Sequence, residues 1–419
     1  MTVYVLMVLA WIIFWGLLFA LLYQQPVLNA WREPVLRCPV LIFESDDWGP
    51  DIDGRQAGAL LEIKKVLENF QDDKGRHPVM TLGMVLAIPD SQRMLEDDLQ
   101  TYHRSLLSEA SSKQMLDVIQ QGIAKGVFSV QLHGMEHFWP NALMVALKNS
   151  PELQKWIAKD VLKTEDLPSS LQSRWTDASS LPSTPHSDAH IKKAVSDEVA
   201  MFVSIFGSIP TVVVPPTFVW DERVEKAWGK ENINVLVTPG RRYIARDGEG
   251  GLVVDANSQS SNAYYNGMKT LTKMTSIVRD NYFEPMLGHT ADQSLAAIEE
   301  KKILGRPALL EMHRFNFTGE GEERVASLDE IRRLLEKVMK SYPDVVFLST
   351  EQLAAALESA DPDLLEPSLK RKIHIVLLRF NRIIGLRKML CLSGFIIPYL
   401  ALLIILKPAP HKLELEANL

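Results

Sequence analysis

Cysteine is almost missing from this chain. Only Cys38 and Cys391 occur among 419 residues. Cys391 lies in an apolar run and Cys38 does not, so no structural disulfide between them is expected, and a cysteine zinc cluster is excluded. An excess of positive charge is also lacking: 45 Lys and Arg stand against 52 Asp and Glu, for a net charge of −7. That argues against a nucleic-acid partner. The GxxxxGK[ST] phosphate cradle is absent, and Asp247-Gly248-Glu249-Gly250-Gly251 reads as a turn, so no nucleotide site is expected. There is no internal repeat and no long low-complexity tract. Nothing basic but the amino terminus precedes the first apolar run and no small-x-small cleavage signal follows it, which favours a retained anchor over a cleaved signal peptide.

Long hydrophobic runs, by contrast, are present. Residues 3–23 carry no charge and are long enough to cross a bilayer, with Trp31 near the interface. Residues 389–406 form a second apolar span, near the lower limit for crossing, with Pro398 tolerable inside a membrane helix. Between residues 370 and 388 lie Lys370, Arg371, Lys372, Arg379, Arg382, Arg387 and Lys388 with no acid among them. Interleaved with Val376, Leu377, Phe380 and Ile383, they suggest a basic amphipathic helix on a lipid surface. The reading is therefore an anchor at 1–24, a soluble domain at 25–357, a basic amphipathic linker at 358–388, a transmembrane or membrane-associated helix at 389–406 and a short tail at 407–419. Two crossings place both termini on one side and the domain on the other. Arg32, Arg37 and the basic cluster put the domain on the cytoplasmic side by the positive-inside rule.

Within the soluble part, β-rich runs at 40–44, 79–88, 128–132, 211–214, 235–238, 308–312 and 345–348 alternate with helical stretches at 57–70, 113–125, 191–206, 221–228, 291–301 and 328–341. Strand–helix alternation over some 300 residues implies an α/β fold with a parallel sheet, and seven strands suggest a barrel. Residues 168–185, rich in Ser, Thr and Pro, read as a lid-like excursion.

Chemistry-bearing residues gather where these strands end, which is where parallel α/β folds build their sites. The run Leu41-Ile42-Phe43-Glu44-Ser45-Asp46-Asp47-Trp48-Gly49-Pro50 stops in two adjacent acids, an arrangement a cation would relieve. His133-Gly134-Met135-Glu136-His137 follows a strand; its two imidazoles share a face if a helical turn begins there. A second pair, His186 and His190, follows the Ser/Pro-rich excursion and reads as loop and helix start. His313 ends the strand 308–312. Pro215 and Pro216 stiffen the exit from another, followed by Trp220 and Asp221.

In this order, Asp46-Asp47, His133-x-x-x-His137, Pro215-Pro216 and the strand-ending His313 resemble the polysaccharide deacetylase (NodB-homology, carbohydrate esterase 4) superfamily. The resemblance spans residues 40–353 and looks like an uncharacterised, membrane-anchored branch. It implies a deformed (β/α)7-type barrel of the glycoside hydrolase/deacetylase kind, flanked here by the two apolar segments. It also implies one divalent metal ion, usually zinc, on Asp47, His133 and His137, with Asp46 as base and His313 as acid. The reaction implied is hydrolysis of an N-acyl group, usually N-acetyl, from a glycan or a lipid-linked sugar. Pro216, Trp220, Asp221 and Arg314 are candidate substrate contacts, and Glu284 a candidate supporting group. One departure stands out: the family's third motif begins with an Arg that holds the base, and here that position is Val214. Arg279, Arg314 or Asp221 can compensate. The alternatives are a catalytically silent glycan-binding membrane protein and a non-haem iron oxygenase, whose H-x-D/E motif and β-sandwich do not match this chain.

Overall fold

The computed structural model describes residues 2–255, 264–319 and 321–408. Its main sheet is built from β1 (Val40–Trp48), β2 (Met80–Met84), β3 (Phe128–Leu132), β4 (Val212–Val213), β5 (Val235–Thr238), β6 (Thr275–Val278), β7 (Asn281–Tyr282), β8 (Ala308–His313) and β9 (Val346–Phe347). The order is β6-β5-β4-β3-β2-β1-β8-β7, with β9 paired to the start of β1. All of these pairings are parallel. The edge strands β6 and β7 are separated in sequence only by Arg279 and Asp280. The chain itself therefore brings the two edges of the sheet together, and the sheet rolls into a deformed barrel. The seven expected strands are all present. The stretch 275–282, too short and too polar to stand out in the sequence, supplies the missing staves.

Period-2 alternation sorts the side chains of β1. Leu41 and Phe43 pack outward against the helices, among them Leu60 and Ile63 of α2 (Arg55–Leu67) and Leu334 of α7 (Glu322–Ser341). Between these in the chain come α3 (Lys113–Ala124), α4 (Asp188–Phe206), α5 (Glu222–Lys230) and α6 (Ala291–Ile303), close to the helical stretches read from periodicity. Val40 and Ile42 face the other way. They pack with Val212, Val235, Val237, Ile277 and Leu309, and with Leu353 of α8 (Thr350–Glu358). This second cluster fills the lower interior of the barrel. The next residues of the same parity are Glu44 and Asp46 on β1, and Glu311 and His313 on β8. The interior thus changes from apolar to charged on going up the strands, and the site begins where the apolar packing stops.

Helix α1 (Thr2–Arg32) is the one described helix long and apolar enough to cross a membrane. At 1.5 Å per residue it is about 46 Å long, against about 30 Å of bilayer hydrocarbon. The expected C-terminal span is not one helix. It is α10 (Leu386–Ser393) followed by α11 (Ile396–Leu406), bent by 113°. Pro398 is not the cause, since it sits in the first turn of α11. Gly394, at φ +76°, takes the left-handed conformation that ends α10. The basic linker also differs from expectation. Its helix α9 (Leu369–Phe380) buries Arg379, while Arg371 pairs with Glu366, Arg382 with Glu300, and Lys372 lies over the Trp31 ring. Much of its charge serves contacts within the protein.

Candidate metal and catalytic site

On a regular strand Asp46 and Asp47 would point to opposite faces. The β1–β2 register shifts between Ser45 and Trp48, and Asp47 has φ +71°. This bulge turns Asp47 back to join Asp46, a common device beside functional sites. Both carboxylates are buried. Gly83 on β2 makes room for them, because a Cβ there would lie 2.2 Å from Asp46 Oδ1.

The segment after β3 is not helical, contrary to the condition placed on the His133–His137 pair; the next helix begins only at Pro140. A tight turn through Gly134 (φ +107°) brings the rings together instead, with centroids 4.9 Å apart. Leu86 N donates to Gly134 O and Ala87 N to Met135 O, which pins the turn to the segment after β2. Glu136 supports it from below through Arg174 at 2.6 Å and Arg104 at 3.0 Å.

Asp47 Oδ1 lies 3.4 Å from His133 Nε2 and 3.6 Å from His137 Nε2. His133 Nδ1 is 2.9 Å from the Val214 carbonyl. A carbonyl only accepts, so Nδ1 carries a proton; in the neutral ring that a metal ligand requires, the Nε2 lone pair is then turned toward Asp47. Asp47 Oδ1 and His133 Nε2 are both buried without a hydrogen-bond partner. Three converging donors with two orphaned atoms fit a divalent cation with an open position, and the one-carboxylate, two-imidazole set suits zinc or a similar ion. Burial would raise the Asp47 pKa, but His137 and His133 hold it far below the usual carboxylate range.

Asp46 has a different partner. Arg279, from the seam between β6 and β7, donates through Nη2 to Asp46 Oδ2 at 2.7 Å and through Nη1 to Glu44 Oε2 at 2.9 Å; its Nε lies 3.2 Å from Glu311 Oε2. One buried guanidinium thus faces three buried carboxylates. Burial opposes ionisation of Asp46, yet Arg279 and His133 outweigh it and hold the pKa below normal. Glu311 is pushed up to about 7 by burial, against the pull of Arg279. Of the three groups named as substitutes for the missing Arg at 214, it is Arg279 that reaches Asp46. Val214 contributes only the carbonyl that orients His133.

His313 Nδ1 donates to Glu284 Oε1 at 2.5 Å, and Glu284 is fixed by Asn316 Nδ2. Burial alone would lower the His313 pKa. The Glu284 bond and charge, with Asp47 and Asp46 nearby, push it up to about 10. One nitrogen of His313 lies within 4.8 Å of both an Asp46 and a Glu311 oxygen.

These groups open into a cleft of about 510 Å³, whose wall includes Tyr243, Leu252, Tyr282 and Phe315. The excursion 168–185 is less a lid than a packed wall. Ser169 and Gln172 face the cleft, Thr217 Oγ1 donates to Gln172 O at 3.0 Å, and Arg246 Nε to Ser173 Oγ at 3.0 Å. The candidate substrate contacts do not line this cleft. Trp220 is fully buried in the core, Asp221 caps α5 and pairs with Arg223, and Pro216 is buried against Gly134. Arg314 holds Glu165 through two bonds of 2.8 and 3.0 Å. Pro215, Thr217 and Phe218 reach the cleft instead. The second His pair forms no cluster: His186 is buried against Trp139, with centroids 3.9 Å apart, and His190 is exposed.

No protein-family model and no curated protein matches this chain. Solved structures do. A Mycobacterium smegmatis protein described as a polysaccharide deacetylase is 11% identical, with 80% of this chain and 97% of that one covered, at a TM-score of 0.39. A 4-alpha-glucanotransferase from Thermococcus litoralis is 9% identical, over 76% of this chain and 40% of that one, at 0.39. The peptidoglycan deacetylase PdaC from Bacillus subtilis is 12% identical, over 78% and 94%, at 0.33. At these values the likeness carries no chemistry to this chain, and the functional reading rests on the site.

Proposed function

We propose that the protein is a metal-dependent hydrolase that removes an N-acyl group, N-acetyl in the first instance, from a glycan or lipid-linked sugar. The observation that carries this is the convergence of Asp47, His133 and His137 on one point, with Asp46 and His313, themselves close together, lining the same cleft. Asp47, His133 and His137 would hold the ion, zinc by donor type. When bound, the ion supplies Lewis acidity, polarising the amide carbonyl and lowering the pKa of water.

The protein's own groups do the rest. Asp46 is kept ionised by Arg279 through Oδ2, which leaves Oδ1 without a partner to take a proton from the attacking water. His313 is held protonated by Glu284 at Nδ1, so Nε2 gives its proton to the departing amine nitrogen. Water is consumed, the C–N bond breaks, and the products are the sugar amine and a carboxylate. Solvent then takes the proton from Asp46 and restores that of His313. Each positioned proton transfer is worth about 10²–10⁴-fold in rate.

The test is acetate release from a panel of N-acetylated glycans and lipid-linked sugars, with and without chelator. Release is expected with at least one substrate, abolished by chelator and restored by zinc. Asp46→Asn is expected to keep its metal and lose turnover. Undiminished turnover in Asp46→Asn would remove that residue from its role.

A further inference from the structure

The bent pair α10–α11 has a geometry that the sequence concealed. At 1.5 Å per residue its 8- and 11-residue helices are about 12 and 16 Å long, and neither reaches across about 30 Å of hydrocarbon. Their path can be followed along α1. The chain enters at Gly385, where a Cβ would lie 2.9 Å from the Tyr23 hydroxyl. The bend itself sits beside Trp11 and Phe19: Trp11 Nε1 donates to Ser393 O at 3.3 Å, and the Phe19 and Phe395 rings are 6.1 Å apart. These residues lie in the middle of the apolar run 3–23. The chain then comes back. Tyr399 Oη lies 2.8 Å from Leu377 O and 2.9 Å from Asn381 Oδ1, both preceding the entry point. Farther along, the Leu403 backbone and Lys407 approach the His374 ring. The end of α11 has thus returned to the level of α9, next to the barrel.

We propose that α10–α11 is a re-entrant wedge seated in one leaflet, entering and leaving on the side of the catalytic domain, so that the chain crosses the bilayer once. The occupant of its outer face is the acyl interior of that leaflet. Ile397, Ile404 and Ile405 are exposed there, the first at 74%, and they continue the exposed apolar surface of α1. Arg387 and Lys388 are exposed at the point of entry, where anionic headgroups would lie. A break in a helix is costly in lipid unless the freed backbone groups find partners. Here the Trp11 indole serves the Ser393 carbonyl, and Ser393 Oγ donates to Leu390 O at 3.2 Å while accepting from Phe395 N at 3.4 Å. Removing α1 would strip the wedge of the surface it packs on.

The proposal rests on α1 as a membrane span, and the test reads that separately. Epitopes are placed before Met1 and after Leu419 of the otherwise native chain, and sealed vesicles of both orientations are probed with impermeant antibody, alongside an antibody to the barrel. The C-terminal epitope is expected on the face that carries the barrel, with the N-terminal epitope on the opposite face. A C-terminal epitope on the N-terminal face means two crossings and overturns the wedge. N- and C-terminal epitopes and barrel all on one face remove the span and the wedge together. The lipid contact is read at Cys391, which is exposed on α10, in a Cys38→Ser chain so that the half-buried second thiol takes no label. A fluorophore on Cys391 is expected to be quenched several-fold by nitroxides on acyl chains and not by iodide in water. Quenching by iodide, or by neither agent, would mean that water or a second copy of the chain covers this face, and would overturn the proposal.

Discussion

His313 owes much of its charge to one neighbour, Glu284. Its imidazolium is held by the Glu284 carboxylate, and as general acid it must enter the reaction protonated. Its raised pKa therefore sets the alkaline limit of activity. In Glu284→Gln the carboxylate charge is gone, the pKa falls, and the alkaline limb of kcat/KM is expected to move to lower pH with metal content unchanged. The same shift has a sign in stability. A group raised from 6.5 to about 10 stabilises the fold fully below 6.5, and the contribution disappears as pH rises through about 10. The stability gap between wild type and Glu284→Gln is therefore expected to be widest in acid and to close in alkali, as urea titrations at several pH values would show. An unchanged kcat/KM profile would mean that Glu284 does not set the acid. Single residues were also where the sequence was most readable. Asp46, Asp47, His133, His137 and His313 all reach one cleft. Glu44 and Glu311 were passed over, although each lies two residues before a named group on the same strand face, and period-2 counting would have placed them inside.

At the scale of elements, the critical contact is between the β1 bulge and β2. The role of Gly83 follows from the 2.2 Å that would separate an added Cβ from Asp46 Oδ1. Gly83→Ala should therefore push Asp46 off Arg279 while leaving Asp47 and both histidines in place. The expected result is a loss of kcat of about 10²-fold or more with metal content intact. Near-native kcat would show that the bulge adapts, and that the position of Asp46 is not what limits the rate. Elements explain where the sequence reading failed as well as where it held. Long β-rich runs such as 128–132 announce a strand, but Thr275–Val278 is four residues of mixed polarity and is made a strand by its place at the barrel seam. The His133–His137 turn and the Gly394 bend depend on left-handed glycines, which periodicity does not register.

On the scale of the whole molecule, helix α1 and the site lie at opposite poles of the barrel. Leu36 N donates to Gly305 O at 2.9 Å and Arg306 pairs with Glu33 at 2.6 Å, which ties the end of α1 to the loop where β8 begins. Arg379 closes this joint with five hydrogen bonds to the carbonyls of Ala30, Glu33, Pro34, Leu304 and Gly305. Asp46 and His313 sit at the far ends of β1 and β8. The nine residues of β1 span about 30 Å at 3.3 Å each. Under the proposed function, that distance favours a glycan reaching out from the surface over a short sugar held among the headgroups.

The central claim is that Asp47, His133 and His137 together grip one ion. Elemental analysis of the full-length protein purified without chelator, beside Asp47→Ala and His133→Ala, measures this directly. About one zinc-like ion per chain is expected in the native protein and a near-complete loss in both variants, with folding intact by circular dichroism. A native protein without stoichiometric metal after zinc is supplied, or variants that keep it, would contradict the account.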